Sequence, residues 1–275
     1  MNHLLIITAL QSEAEPIIKQ YQLEKKHHSE KLFYFQRERI TCLTTGVGEK
    51  NVRKRLGAFL QVLDCSNTIL INIGIAGGKK DSSEIGTMYL INKITSDKSG
   101  KAWLPDILLK TGIPEVQLTT VSKGVTDGGE KYKGLVDMEA AVIFETAVEF
   151  FPVHCLVFLK IVSDYMDEVL DSPEQVLPIM SNNLSKLDSI ITLMQNSEIV
   201  RAPLLNEQHE HLLTDLNNTL KLTETQTHQL KNKIEGYIAI KDDDFSFLSN
   251  YLHIEINSKQ ERSKIFYEIC TKLSS

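Results

Sequence analysis

Cys155-Leu-Val-Phe-Leu-Lys-Ile-Val162 is the stretch that most narrows what this chain can become. It is an almost continuous aliphatic run, and it ends at the polar pair Ser163-Asp164. A strand with one wet face alternates apolar and polar residues. An unbroken run has both faces covered, as in a sheet with helices on each side. Leu4 to Leu10 and Thr68 to Ile73 read the same way. Leu32–Gln36 and Ile40–Thr45 form the arms of a hairpin around Arg37-Glu38-Arg39, and Met88–Ile94 and Val116–Val121 are weaker strands. Between the strands lie helical segments. Glu49 to Leu63 sets Val52, Leu56, Phe59, Leu60 and Leu63 on one face, and Asp137–Phe151 and Pro173–Met194 also read as helices. Strands alternating with helices predict an α/β domain over residues 1–196.

From residue 197 the character changes. Leu204–Leu222 and Leu230–Ile240 carry helical spacing, and Thr223-Glu-Thr-Gln226 has the spacing of a capping box. Asp242-Asp243-Asp244 punctuates the chain before short helices at Phe245–Leu252 and Ser258–Leu273. Residues 197–275 are therefore read as a helical C-terminal extension. Its stripe of Leu205, Leu212, Leu213, Leu216 and Leu220 must be covered by its own helices, by the α/β domain or by another chain. A self-packed subdomain and a surface for a protein partner both satisfy that requirement.

Composition removes several function classes. The chain has 275 residues, enough for a core that needs no disulfide or metal staple. Its net charge is −6, and its longest basic block is Lys25-Lys26-His27-His28, so no nucleic-acid partner is expected. The four cysteines are widely spaced and read as buried, reduced thiols. Leu4–Leu10 is too short for a signal-peptide core or a membrane span, so the expectation is a cytoplasmic protein that does not engage membranes. His209 and His211 stand two apart, which on a helix points them away from each other, and no metal site is expected.

Glycine motifs for cofactors fail as well. Gly46-Val47-Gly48 lacks a third glycine because position 51 is Asn, and Lys50 follows Glu49 rather than a P-loop glycine. No cofactor is expected. Gly74-Ile75-Ala76-Gly77-Gly78 follows a buried strand directly; it reads either as a loop that brings backbone amides to a ligand or as a tight turn without one. Three acidic residues then stand near element ends: Glu13 after the first strand, Glu139 in Val136-Asp137-Met138-Glu139-Ala140-Ala141, and Asp164 after the last. Ligands of open α/β sheets bind outside the carboxyl ends of the strands, so these carboxylates can converge on one crevice.

Five segments in order carry a resemblance: Thr8-Ala9-Leu10-Gln11-Ser12-Glu13, Thr45-Gly46-Val47-Gly48, Ile71-Asn-Ile-Gly74-Ile-Ala-Gly77-Gly78, Val136-Asp137-Met138-Glu139-Ala140-Ala141 and Ile161-Val162-Ser163-Asp164. Together they resemble the methylthioadenosine/S-adenosylhomocysteine nucleosidases of the nucleoside phosphorylase/nucleosidase superfamily. The resemblance covers residues 4 to about 194, with a poor match from 95 to 118. It implies a phosphorylase-type mixed sheet flanked by helices, a homodimer, and a small-molecule purine nucleoside as ligand.

It also implies roles. Asp164 would protonate purine N7, and its place after a long apolar strand suits the raised pKa of a general acid. Glu139 would accept hydrogen bonds from the ribose hydroxyls, Met138 would pack against the sugar, and Glu13 would orient and deprotonate the attacking water. Ile75, Gly77 and Ser163 would complete the substrate-binding set. Related phosphorylases hold phosphate at the positions of Glu13, Asn72 and Ile75, where this chain offers an anion and no compensating cation, so water is the expected nucleophile. Ile75 stands where a serine is usual and Lys160 where an arginine is usual. The aliphatic Ile75 is similar to futalosine hydrolases, whereas Asp164 is similar to the adenine enzymes. Two functions follow: hydrolysis of a 5′-modified adenosine-type nucleoside or futalosine, or a catalytically weak relative that binds a nucleoside and docks through its helical tail. Trp103 with Leu104-Pro105-Asp106 reads either as a lid over the pocket or as a packing contact.

Overall fold

The computed structural model describes residues 1–29, 32–168, 172–197, 205, 207–240, 246–252, 254, 256 and 258–273. The chain divides into two units, Met1–Val200 and Arg201–Ser275.

The first unit is a mixed sheet flanked by helices. Its strands are β1 (His3–Thr8), β2 (Glu24–Ser29), β3 (Leu32–Arg37), β4 (Ile40–Thr44), β5 (Thr68–Gly77), β6 (Met88–Ser96), β7 (Ala102–Trp103), β8 (Glu115–Thr120), β9 (Leu135–Asp137) and β10 (Leu156–Asp164). Its helices are α1 (Gln11–Gln20), α2 (Glu49–Leu60), α3 (Ala140–Ala147), α4 (Pro173–Asn182) and α5 (Leu184–Asn196). Every residue of β10 is buried, which is why its sequence is apolar without alternation. Phe158 and Val162 face the cluster built by α2 and α3, with Leu5, Leu56 and Phe144. Val157, Leu159 and Ile161 face the opposite cluster, with Ile17 of α1, Val176 of α4 and Ile190 of α5. Each such side chain removed from water contributes about 1.5–3 kcal/mol.

Strand β5 decides where a site can form. Along Thr68–Asn72 it pairs in parallel with β1, and along its other edge it pairs in parallel with β10. Beyond Asn72 the β1 edge is released, and β5 meets β9 at Gly77, antiparallel. Strands β5, β10, β6, β8 and β9 thereby close a ring, while β1, β4, β3 and β2 extend the sheet from β5. The fork between β1 and β9 is the topological switch point of the sheet, the kind of place where α/β folds bind ligands.

Several elements differ from the sequence reading, each for a local reason. Strand β2 carries Glu24-Lys-Lys-His-His-Ser29, all exposed, and hydrogen-bonds only to β3; an edge strand wet on both faces leaves no hydrophobic pattern. The single helix expected from Pro173 to Met194 is two, broken at Asn183, whose amide donates to the Gly86 and Ile179 carbonyls. Asp137 belongs to β9, and the helix after it spans only Ala140–Ala147. Trp103 packs beside Phe144, ring centroids 6.0 Å apart, as a core contact and not a lid.

The second unit consists of α6 (Glu207–Leu220), α7 (Glu224–Ile240), a 3-10 turn at Ser246–Tyr251 and α8 (Lys259–Lys272). Leu205, Leu213, Leu216 and Leu220 are buried with Leu230, Ile234, Leu248 and Ile269, so the tail's own helices cover its stripe. The capping box forms: Thr223 N–H donates to Gln226 Oε1 at 3.2 Å, and Gln226 N–H donates to Thr223 Oγ1 at 3.3 Å. Leu204, Asp242-Asp243-Asp244 and Phe245 lie outside the described residues.

Candidate active site

Glu13 is seated first by local structure. It is the third residue of α1, and its Oε2 reaches back to accept from Ala9 N–H at 2.9 Å and Leu10 N–H at 2.8 Å. The Leu10 N–H is an orphan donor of the helix start, and the Glu13 side chain satisfies it. Its other oxygen, Oε1, accepts from Ile75 N–H of β5 at 2.9 Å. Space for it comes from Gly74, where a Cβ would stand 2.6 Å from Oε1. The expectation of a glycine turn at 74–78 is thus corrected. Gly74 and Gly77 are strand residues, and what they supply is room for side chains, not a bend. Left-handed glycines lie nearby at Gly46 and Gly48 instead, with φ of 84° and 87°. The amide of Gly48 donates to Glu139 Oε1 at 2.8 Å.

Glu139 stands at the N-cap position of α3 and is buried, as is Asp137 at the end of β9. Asp137 is held by Thr120 Oγ1 at 2.6 Å and Ala140 N–H at 2.9 Å, and it forms an ion pair of 3.0 Å with Lys160 of β10. Both side chains of that pair are at most 3% exposed. Removing one partner of such a pair costs about 3–5 kcal/mol, because the other charge is stranded. Burial disfavours the Lys160 ammonium, but Asp137, Glu139 and Glu13 together outweigh it and hold its pKa above the ordinary lysine value. Burial raises the pKa of Glu13, against the opposing pull of its backbone donors and of Lys160. Glu139 is pushed up to about 7, by burial first and then by Asp137. The expectation that no cation lies here is therefore wrong: Lys160 faces this group of carboxylates.

Asp164 closes the other half of the site. Ser163 Oγ donates to its Oδ2 at 2.6 Å, and Met166 N–H donates to its Oδ1 at 2.7 Å. Asp164 pairs with Gly77 across a bulge in β10, and a Cβ at Gly77 would stand 3.2 Å from Asp164 Oδ1 and 2.6 Å from Met166 Cγ. Met138 joins Val121, Tyr132, Val136 and Met166 in a small apolar patch. Met166 is itself in the left-handed region, with φ 60°, and its side chain packs over Gly129.

The expected residues thus fall into two groups hung on the end of β5. Glu13, Ile75 and Glu139 gather with Asp137 and Lys160; Gly77, Ser163 and Asp164 gather with Met138 and Met166. Ile75, which holds Glu13, and Gly77, beside Asp164, are two residues apart, or about 7 Å along a strand. Asp137 and Met166 were not singled out from the sequence as site groups, and Lys160 was noted only as standing where an arginine is usual, without its partner. A lysine inside the most apolar strand of the chain was the available signal for Lys160. Nothing in the local sequence marks Met166. Among the described residues, no group of three or more His, Cys, Asp or Glu side chains could hold a metal ion, and no helix is long and apolar enough to cross a membrane.

The raised carboxyl of Glu139 has a stability consequence. Between its ordinary value and about 7 the folded chain binds more protons than the unfolded one, so stability falls as pH rises through that window. The loss can reach about 3 kcal/mol at 1.4 kcal/mol per pKa unit. Thermal melts should therefore show Tm dropping from pH 5 towards pH 8, with a flatter profile in Glu139→Gln. Parallel profiles for the two proteins would refute the assignment.

No protein-family model matches the chain, and no curated protein matches it by sequence. Solved structures do. The 5′-methylthioadenosine nucleosidase of Arabidopsis thaliana superposes with a TM-score of 0.63 at 18% identity, covering 72% of this chain and 98% of its own. The 5′-methylthioadenosine/S-adenosylhomocysteine nucleosidase of Neisseria meningitidis, solved with methylthio-immucillin-A, gives 0.59 at 18%, covering 70% and 100%. A Borrelia burgdorferi structure bound to adenine gives 0.57 at 21%, covering 69% and 99%. The resemblance carried by the five sequence segments holds at the level of architecture: the chain has the fold of the 5′-methylthioadenosine/S-adenosylhomocysteine nucleosidases.

Proposed function

We propose that this protein is a purine nucleoside N-ribosyl hydrolase, cleaving the N-glycosidic bond of a 5′-modified adenosine-type nucleoside with water as nucleophile. The observation that carries the reading is the division of carboxylates along the end of β5: Glu13 and Glu139 at Ile75, Asp164 at Gly77. Cleavage makes the sugar cationic and the departing base anionic. Two carboxylates on the sugar side favour the developing positive charge, and an acid on the base side neutralises the leaving group. In this reading Glu139 accepts from the ribose hydroxyls, with Met138 against the sugar. Glu13, buried among three backbone donors, takes the proton of the attacking water. Asp164, oriented by Ser163 and Met166, delivers a proton to purine N7.

Phosphate is the rival nucleophile. A phosphate dianion would enter a space faced by Glu13 and Glu139, and the nearby ammonium of Lys160 is already paired with Asp137. Incubation with a panel of 5′-modified adenosines and futalosine, with and without phosphate, should release free base at a rate that phosphate does not increase. Ribose 1-phosphate among the products would reverse the choice of nucleophile. Binding of a nucleoside without release of base would favour a non-catalytic relative.

A further inference from the structure

The row of β10 that faces α2 and α3 reads Leu156, Phe158, Lys160, Val162. A lysine in that row is expensive to bury, and nothing in the packing of the sheet asks for it. Its strand partners are Gly74 on β5 and Tyr89 on β6. Gly74 is the residue whose missing side chain leaves room for the Glu13 carboxylate. The register therefore lays the Lys160 side chain beside the Glu13 seat, while Asp137 on β9 grips its ammonium at 3.0 Å.

From this geometry, and resting on the hydrolase reading above, we infer that Lys160 is a positioning residue that acts through Glu13: anchored by Asp137, its buried ammonium keeps the Glu13 carboxylate charged and in place as the base. The ionisable groups around the two are Asp137 on β9, Glu139 at the start of α3, Cys42 on β4 and Tyr89 on β6. Of these the carboxyls add negative charge, which works against an ionised Glu13. Lys160 is the cation that opposes them. Asp137 fixes that ammonium through the 3.0 Å ion pair.

The test uses the full chain, with carboxyl carbon-13 labelling of glutamate and NMR titration of Glu13, assigned through Glu13→Gln. In Lys160→Met the Glu13 titration should move up by about one pH unit or more, and Lys160→Arg should restore it. The acid limb of kcat/KM for 5′-methylthioadenosine should move with it. If Lys160→Met does not fold, Lys160→Gln removes the charge while keeping a donor to Asp137, and the same shift is expected. An unchanged Glu13 titration in a folded, charge-removed variant overturns the inference. A wild-type chain that hydrolyses no nucleoside instead overturns the hydrolase reading and the catalytic part of this one. The titration still decides whether Lys160 controls Glu13.

Discussion

Asp164→Asn should lower turnover of the cognate nucleoside by about 10²–10⁴-fold, the usual contribution of a general acid, without unfolding the chain. Asparagine keeps the shape of the side chain and can still accept from Ser163 Oγ or Met166 N–H, so the bulged end of β10 should survive. What it lacks is a transferable proton. Glu13→Gln should cause a loss of similar size from the other side of the bond, because an amide cannot take a proton from water. Both variants should bind substrate analogues. The pair is measured as kcat with circular dichroism as the control for folding. Near wild-type rates in both would mean that the bond is cleaved elsewhere, or that the carboxylates only hold the fold.

Gly74→Ala should be nearly as damaging, although position 74 contributes no functional group. Its Cβ would lie 2.6 Å from Glu13 Oε1 and 3.1 Å from Cδ. The strand cannot retreat easily, since Lys160 pairs with Gly74 in β10 and β1 borders β5 up to Asn72. The carboxylate must therefore move, surrendering the bond from Ile75 N–H and straining those from Ala9 and Leu10. A loss of roughly 2–4 kcal/mol in stability is expected, with an activity defect of about 10²-fold or more. A double-mutant cycle isolates the cause: in a Glu13→Ala background, Gly74→Ala should add little further destabilisation. Full additivity would show that the added methyl clashes with something other than Glu13.

Much of this protein was legible in its amino-acid order because it is written in local periods. The unbroken apolar runs of β1, β5 and β10 announced a sheet covered on both faces, and the heptad-like spacing of α2 announced which side it buries. Thr223 and Gln226 marked the start of α7 by their spacing alone. Glu13, Glu139 and Asp164 could be picked out since each lies where a strand or helix begins or ends, and such ends are where a sheet presents polar groups. The pairing of Lys160 with Asp137 could not be read this way. It depends on the register that sets Lys160 against Gly74 and on the fork at which β5 leaves β1 for β9. The same holds for the glycines of β5, whose value lies in the carboxylate and the methionine that occupy their missing side chains. A residue's neighbours along the chain govern its secondary structure, but charge balance acts through space between segments far apart in sequence. Only the closed sheet brings one buried ammonium and its facing carboxylates within reach of each other.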